Sequence, residues 1–383
     1  MLVVNAGSSS LKFAVRDREE TDPEVAGSYH LRDGRVTLKA GAGPLPRDVD
    51  FQSATERFHD DALGHLIDAL ASADVALDAV GHRLVHGGRR FVDPVRLDEG
   101  VVAELKTLVP LAPLHLPSAL EAIDAVTAAM PSLVQVGVFD TAFHKAMPEI
   151  NRLFALPYDF AERGILRYGF HGIAYASVLR TLQDKRPDIA DGRLVLAHLG
   201  SGASLCAVRG GRSVDSTMGF SALDGLPMST RCGALDPGVP LYLMQAEGMT
   251  VPEVETLLYE RAGLLGLSGL SGDVRTLTAA GTGPAERALS VFTAATAKSI
   301  AAMVASLGGL DAIAFSGGVG EHQAGVRAAI AARLDWLGVG LDAAANAENA
   351  FEIHGAAAAV PVFVVAADEQ TLIDRDVRRL LGI

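Results

Sequence analysis

Short apolar runs broken by glycine-rich turns set the rhythm of this chain. Leu2-Val3-Val4 runs into the cluster Asn5-Ala6-Gly7-Ser8-Ser9-Ser10, and Leu11-Lys12-Phe13-Ala14-Val15-Arg16 then alternates, with Leu11, Phe13 and Val15 on one face. The pattern predicts a strand, a tight turn and a second strand. Residues 196–209, laid over residues 3–16 without gaps, repeat Gly7 as Gly200, Ser8 as Ser201, and Ala14-Val15-Arg16 as Ala207-Val208-Arg209. The two units open opposite halves of the chain, so an internal duplication is inferred.

Strand and helix signals alternate between and beyond these units. Residues 79–85 predict a strand leading into Gly87-Gly88, and residues 133–139 predict another. Residues 117–130 carry a helical pattern with Pro117 at its start and Pro131 just past its end. Residues 286–307 predict a long Ala-rich helix stopped by Gly308-Gly309. Short buried strands are predicted at 312–315 and 360–365. Strands interleaved with helices predict two α/β domains, and with no low-complexity linker they are expected to pack around a cleft.

Length and composition narrow the class. At 383 residues the chain exceeds what one core usually holds, and its 40 glycines suit many tight strand-to-helix turns rather than a fibrous or disordered protein. A formal charge of −13 makes nucleic acid or an anionic membrane a poor partner, so an anionic ligand must be held by a few local cations. The two cysteines, Cys206 and Cys232, lack metal-site or redox spacing and read as reduced thiols. No basic-then-apolar leader opens the chain, and the apolar stretch 356–367 is too short to cross a bilayer. A soluble, cytoplasmic protein is expected.

Five stretches carry candidate chemistry. The Asn5-to-Lys12 turn offers backbone N–H groups and a cation, an anion cradle unlike a Walker A loop because it leads into a strand. His198-Leu199-Gly200-Ser201-Gly202 is its duplicate. Phe315-Ser316-Gly317-Gly318-Val319-Gly320-Glu321 reads as a strand running into a Gly-rich turn and a helix. Arg83 and Arg231 each sit among glycines, and guanidinium suits bidentate recognition of carboxylate or phosphate. Asp140 closes an apolar strand, where α/β proteins place ligand chemistry. His171, in Tyr168-Gly169-Phe170-His171-Gly172, is a further candidate. His82 and His86 have helical spacing for a metal pair, but no further ligand falls into place.

Taken in order, N-A-G-S-S-S-L-K, G-H-R-x-V-H-G-G, L-A-P-L-H, F-D-T-A-F-H, R-Y-G-F-H-G, H-L-G-x-G, T-R-C-G, S-G-x-S-x-D-x-R and the late Asp368-Glu369 run essentially end to end. This array resembles the acetate kinase family, within the superfamily of acetate and sugar kinases, heat-shock ATPases and actin. The resemblance implies an α/β fold of two duplicated actin-like ATPase (ribonuclease H-like) domains with a central nucleotide cleft. The first would comprise residues 1–143 plus 371–383 and the second, nucleotide-binding one residues 144–370. It implies a homodimer that uses Mg2+, with Mn2+ as a substitute, ATP/ADP as co-substrate and a small carboxylic acid as acceptor. Asn5 and Glu369 would position the metal and Lys12 would approach the phosphates. The nucleotide site would be lined by His198, Leu199, Gly200, Ser201 and Gly202, by Asp273, Val274 and Arg275, and by Gly318, Val319, Gly320, Glu321 and His322. Arg83 would hold the acyl carboxylate, and Val85, Leu114, Phe170 and Ala222 would surround its apolar end. Asp140 would be the acidic residue of the catalytic site, and His171 and Arg231 would stabilise the phosphoryl group in transit.

These roles are chemically coherent. Phosphoryl transfer needs alignment and charge stabilisation more than covalent chemistry. A carboxylate acceptor is already ionised, so Asp140 is expected to position metal or substrate rather than to take a proton. The sequence departs from the family where Leu116 follows His115, and at Ser201 and His322, all places where Asn is common. Ala222 stands where Pro is usual, which leaves room for another carbon and predicts that propionate is accepted nearly as well as acetate. A main role with propionate or butyrate is the near alternative. A non-catalytic nucleotide-binding regulator is the distant one, since it would not need the transfer groups. A sugar kinase is disfavoured because a small apolar pocket leaves a polyol's hydroxyls unsatisfied.

Overall fold

The computed structural model describes residues 1–7, 10–17, 22–43, 45, 49–54 and 57–383. The chain divides into two compact units, Met1–Ala142 with Asp368–Ile383, and Phe143–Ala367.

The first unit is built on strands β1 (Leu2–Gly7), β2 (Ser10–Val15), β3 (Val25–Arg32), β4 (Arg35–Ala40), β5 (Asp50–Gln52), β6 (Ala79–Leu84), β7 (Val95–Arg96) and β8 (Val134–Phe139). They form one sheet in the order β5-β4-β3-β2-β1-β6-β8-β7. β1 to β5 pair as an antiparallel meander, while β1, β6 and β8 run parallel. One face of the sheet buries Leu2, Val4, Leu11, Phe13 and Tyr29 beneath Phe58, Leu66, Ala122 and Val126 from helices Phe58–Ser72 and Leu116–Ala129. The C-terminal helix, Glu369–Leu381, packs on β1, β6 and β8. It buries Ile373 and Val377 and is capped by the Asp368 side chain accepting from Thr371 N–H. Its close seating depends on Gly81, where a Cβ would stand 2.8 Å from Ile373 and from Val377.

The second unit holds β9 (Arg193–Leu199), β10 (Ala203–Arg209), β11 (Arg212–Ser216), β12 (Ala312–Ser316) and β13 (Val362–Val364), ordered β11-β10-β9-β12-β13. β9, β10 and β11 are antiparallel and β9, β12 and β13 parallel. The same wiring runs through β3-β2-β1-β6-β8, so each unit repeats a hairpin, a third antiparallel strand and two parallel strands on the other side. Tyr175, Val178 and Leu182 of helix Gly172–Lys185 pack on Leu194, Leu196, Cys206 and Phe363. Helix Gly283–Leu307 packs against β9 and β10. Its length and apolar composition would let it cross a membrane, but Ala288, Phe292, Thr296, Ile300 and Leu307 are buried within the unit.

The predicted strands and helices sit within a few residues of their expected limits, with one informative shift. The first strand continues through Asn5 to Gly7, because Asn5 pairs with Lys12, Ala6 with Leu11 and Gly7 with Ser10. Turn-forming residues here are drawn into a ladder by their partners. Ser8 and Ser9 of the expected cradle lie outside the described residues. In the second hairpin Leu199 pairs with Ala203 and His198 with Ser204. Its turn is therefore one residue longer than that of the first.

Candidate functional site

In the first unit, parallel wiring brings the functional groups into a row. β1, β6 and β8 lie side by side with their carboxyl ends together, and Asn5, Arg83 and Asp140 project from those ends. Arg83 Nε and Nη2 donate to the two Asp140 oxygens at 3.2 and 2.7 Å. Arg83 Nη1 lies 3.4 Å from Glu369 Oε2 and 3.5 Å from Asn5 Oδ1, and Asn5 Nδ2 donates to Glu369 at 3.4 Å. Burial alone would lower the Arg83 pKa, but the carboxylates of Asp140 and Glu369 more than reverse this and hold it above its usual range. Lys12 stands on β2 opposite Asn5 with its side chain exposed. Val85 and Leu114, half-buried, belong to this unit too.

The oxygen donors of Asn5, Glu369 and Asp140 form a hard set of the type Mg2+ takes when substrate phosphates complete its shell. Among the described residues no cluster of three His, Cys, Asp or Glu side chains has metal-site geometry. His82 instead bonds Gln135 at 2.8 Å, and His86 Nδ1 accepts from Gly88 N–H at 2.9 Å.

In the second unit the groups gather around the β9–β10 turn. His171 precedes helix Gly172–Lys185 in a left-handed conformation, φ 57°. Its Nδ1 lies 2.8 Å from Ser204 Oγ, and its ring centroid is 4.8 Å from that of His198. Arg231 Nη1 donates to the Ala222 carbonyl at 2.7 Å. Among the described residues Arg231 makes no ion pair, and burial pulls its pKa below the usual arginine value. Gly202 marks where these cationic and donor groups converge. A Cβ built there would lie 3.2 Å from His171 Nε2 and 3.5 Å from Arg231 Nη2. The space beside Gly202 is thus bordered by an imidazole and by a guanidinium that makes no ion pair among the described residues, a chemistry that suits an anion.

The other expected nucleotide-site stretches adjoin this turn. Ser229 N–H donates to the Ser201 carbonyl at 3.1 Å, and a Cβ on Gly272, next to Asp273, would meet Ser229 O at 2.7 Å. His198 bonds Ser316 at 3.2 Å, where β12 passes into helix Gly317–His322 carrying Gly318, Val319, Gly320 and Glu321. Two of these side chains are committed elsewhere. Glu321 Oε1 accepts from Gly317 N–H at 2.8 Å and Ala367 N–H at 3.3 Å, fixing its own helix, and Val274 is buried in the core. Asp273 caps helix Val274–Ala280 through Thr276 N–H and pairs with exposed Arg275, which lowers the Asp273 pKa. Phe170 is buried, and its carbonyl accepts from His144 Nε2 at 3.0 Å.

Sequence reasoning missed Ser204, Tyr175 and Arg327. Arg327, fully buried, donates to Gly320 and Glu321 carbonyls and to Asn346 and Asn349, tying down the end of helix Gly317–His322. Its one signal was a charge on the apolar face of an Ala-rich helix.

The acetokinase family profile matches residues 1–375. An acetate kinase of Methylocella silvestris is 43% identical over 394 residues, covering 100% of this chain and 98% of that protein. The chain belongs to the acetokinase family. Family relatives of known structure have the same fold. A Porphyromonas gingivalis acetate kinase superposes with TM-score 0.87 at 34% identity, covering 99% of both chains. A Francisella tularensis propionate kinase superposes with TM-score 0.90 at 32% identity, covering 98% of both.

Proposed function

We propose that this chain is an acetate kinase that reversibly transfers the γ-phosphoryl group of ATP to acetate, giving acetyl phosphate and ADP. The observation that carries the reading is the convergence of His171 Nε2 and Arg231 Nη2 on the space beside Gly202. Family membership supplies the reaction class. In this reading Arg83 binds the acid's carboxylate and Asp140 orients Arg83 and substrate. His171 and Arg231 stabilise the equatorial oxygens of the group in transit, where losing one donor typically costs about 10²–10³ in rate. The β9–β10 turn with residues 273–275 and 318–322 takes the nucleotide, and Lys12 approaches its phosphates. Asn5 and Glu369 would hold Mg2+, which supplies charge neutralisation for the polyphosphate.

A second reading, propionate as an equal or preferred acceptor, is favoured by Ala222, whose small side chain leaves room for one more methylene. Such a group is worth about 1–3 kcal/mol of discrimination. The test incubates the protein with Mg-ATP and acetate, propionate or butyrate, trapping acyl phosphate with hydroxylamine. Product with acetate supports the main reading, and similar catalytic efficiency with propionate supports the second. No product with any acid, from folded protein that binds ATP, refutes both and favours a regulator. A cytoplasmic homodimer completes the proposal.

A further inference from the structure

The ring of His171 is held from behind. Its Nδ1 lies 2.8 Å from Ser204 Oγ, and the same hydroxyl shares a short hydrogen bond with Tyr175 Oη. Ser204 and Tyr175 are both fully buried. A serine hydroxyl carries one proton, so between two partners it donates to one and accepts from the other. The phenol is the stronger acid of the two hydroxyls, so the favoured order has Tyr175 donating to Ser204 and Ser204 donating to a bare Nδ1. The ring proton then resides on Nε2, the nitrogen beside Gly202 and Arg231 Nη2.

We propose that Ser204, seated by Tyr175, is a positioning residue that fixes His171 in the Nε2–H form and aims that N–H at the transferring phosphoryl group. The proposal rests on the reading of His171 as a group that stabilises the phosphoryl in transit. It assigns a purpose to a polar residue inside an otherwise apolar strand. The Ser204 side chain points to the same side of the hairpin as that of His198, its ladder partner.

Ser204→Ala, Tyr175→Phe, His171→Gln and the Ser204→Ala/His171→Gln double variant are assayed for kcat and for KM of ATP and acid, with thermal unfolding as the folding control. Ser204→Ala is expected to lower kcat about tenfold, the weight of one hydrogen bond in a barrier. Both KM values should stay within about twofold, because only transition-state alignment is lost. Tyr175→Phe, which keeps the ring packing, should lower kcat in the same sense. In the double variant Ser204→Ala should add nothing, since the ring it aims is gone. NMR of isotope-labelled histidine should find His171 protonated on Nε2 in the parent protein and mixed between nitrogens in Ser204→Ala. Should Ser204→Ala fail to fold, Tyr175→Phe and the NMR of the parent decide the matter. Unchanged kcat in the folded serine and tyrosine variants, or a parent ring protonated on Nδ1, overturns the proposal. His171→Gln then reports separately. If it is inactive, the reading of His171 survives, and if it is fully active, that reading and the proposal fall together.

Discussion

Arg83 and Arg231 meet their surroundings in opposite ways. Arg83 is held by two carboxylates, whereas Arg231 is part-buried against a backbone carbonyl and makes no ion pair among the described residues. Asp140→Ala removes the closer partner and leaves Arg83 only Glu369 at 3.4 Å, so it should destabilise the first unit by about 1–3 kcal/mol as well as abolish turnover. Arg231→Met should do the reverse, lowering kcat by about 10²–10³ without lowering the melting temperature, because it removes an uncompensated buried charge. Thermal unfolding beside the hydroxylamine assay separates the two outcomes. Three histidines outside these roles set the acid limit. Burial pushes His82, His86 and His144 down to about 4. The unfolded chain takes up these protons near pH 6.5 and the folded one does not, so stability is fully present above 6.5 and falls as pH drops toward 4. Each group contributes a slope of about 1.4 kcal/mol per pH unit in that window. Melting temperatures at a series of pH values should show the decline, and His82→Asn should make it shallower by about a third. A level profile would mean these rings are hydrated.

At the scale of elements, the C-terminal helix closes the first unit by crossing Gly81, and it brings Glu369 to Arg83. Ile373→Ala should cost about 2–5 kcal/mol as a buried truncation. Gly81→Val should be worse, since its side chain meets Ile373 and Val377 head-on. Denaturant midpoints measure both. The parallel strands and long helices were legible because their apolar runs are bounded by Gly and Pro. The meander β3–β5 was not, because Gly27, Ser28 and His30 dilute its period-two signal and its order comes from pairing with β2. Arg83 and Arg231 were legible as cations among glycines. The support behind His171 was not, because a serine in a strand carries no mark of what it faces, and the chain order of residues 171, 175 and 204 does not announce their contact. The Glu321 carboxylate's bond to Gly317 N–H, within its own helix, was likewise not legible.

For the whole molecule, the acidic balance of −13 means the cations at Arg83 and Arg231 act against the general field, so anion binding rests on local geometry. The second unit also carries an exposed apolar face. Helix Gly238–Gln245 buries none of its residues, leaving Leu241 and Tyr242 more than half exposed at 51% and 58%, near Leu235 and Val239 in sequence. A patch of this kind is costly in water. The proposed homodimer would cover it, and light scattering should return twice the chain mass of 39.9 kDa. Tyr242→Glu should shift the protein toward the single-chain mass.

The one-residue difference between the two hairpin turns is a trace of ancestry. If both halves descend from a single copy, the alignment that sets Asn5 against His198 also sets Lys12 against Leu205 and Leu11 against Ser204. Yet the ladder gives Asn5 the partner Lys12 and gives His198 the partner Ser204. The second strand is therefore shifted by one position against its partner, which exchanges its two faces. Ser204 aligns in sequence with buried Leu11 but takes the ladder place that Lys12 holds in the first copy. A one-residue change of register is enough to let twin halves diverge, one presenting a lysine across from its first strand and the other a hydroxyl.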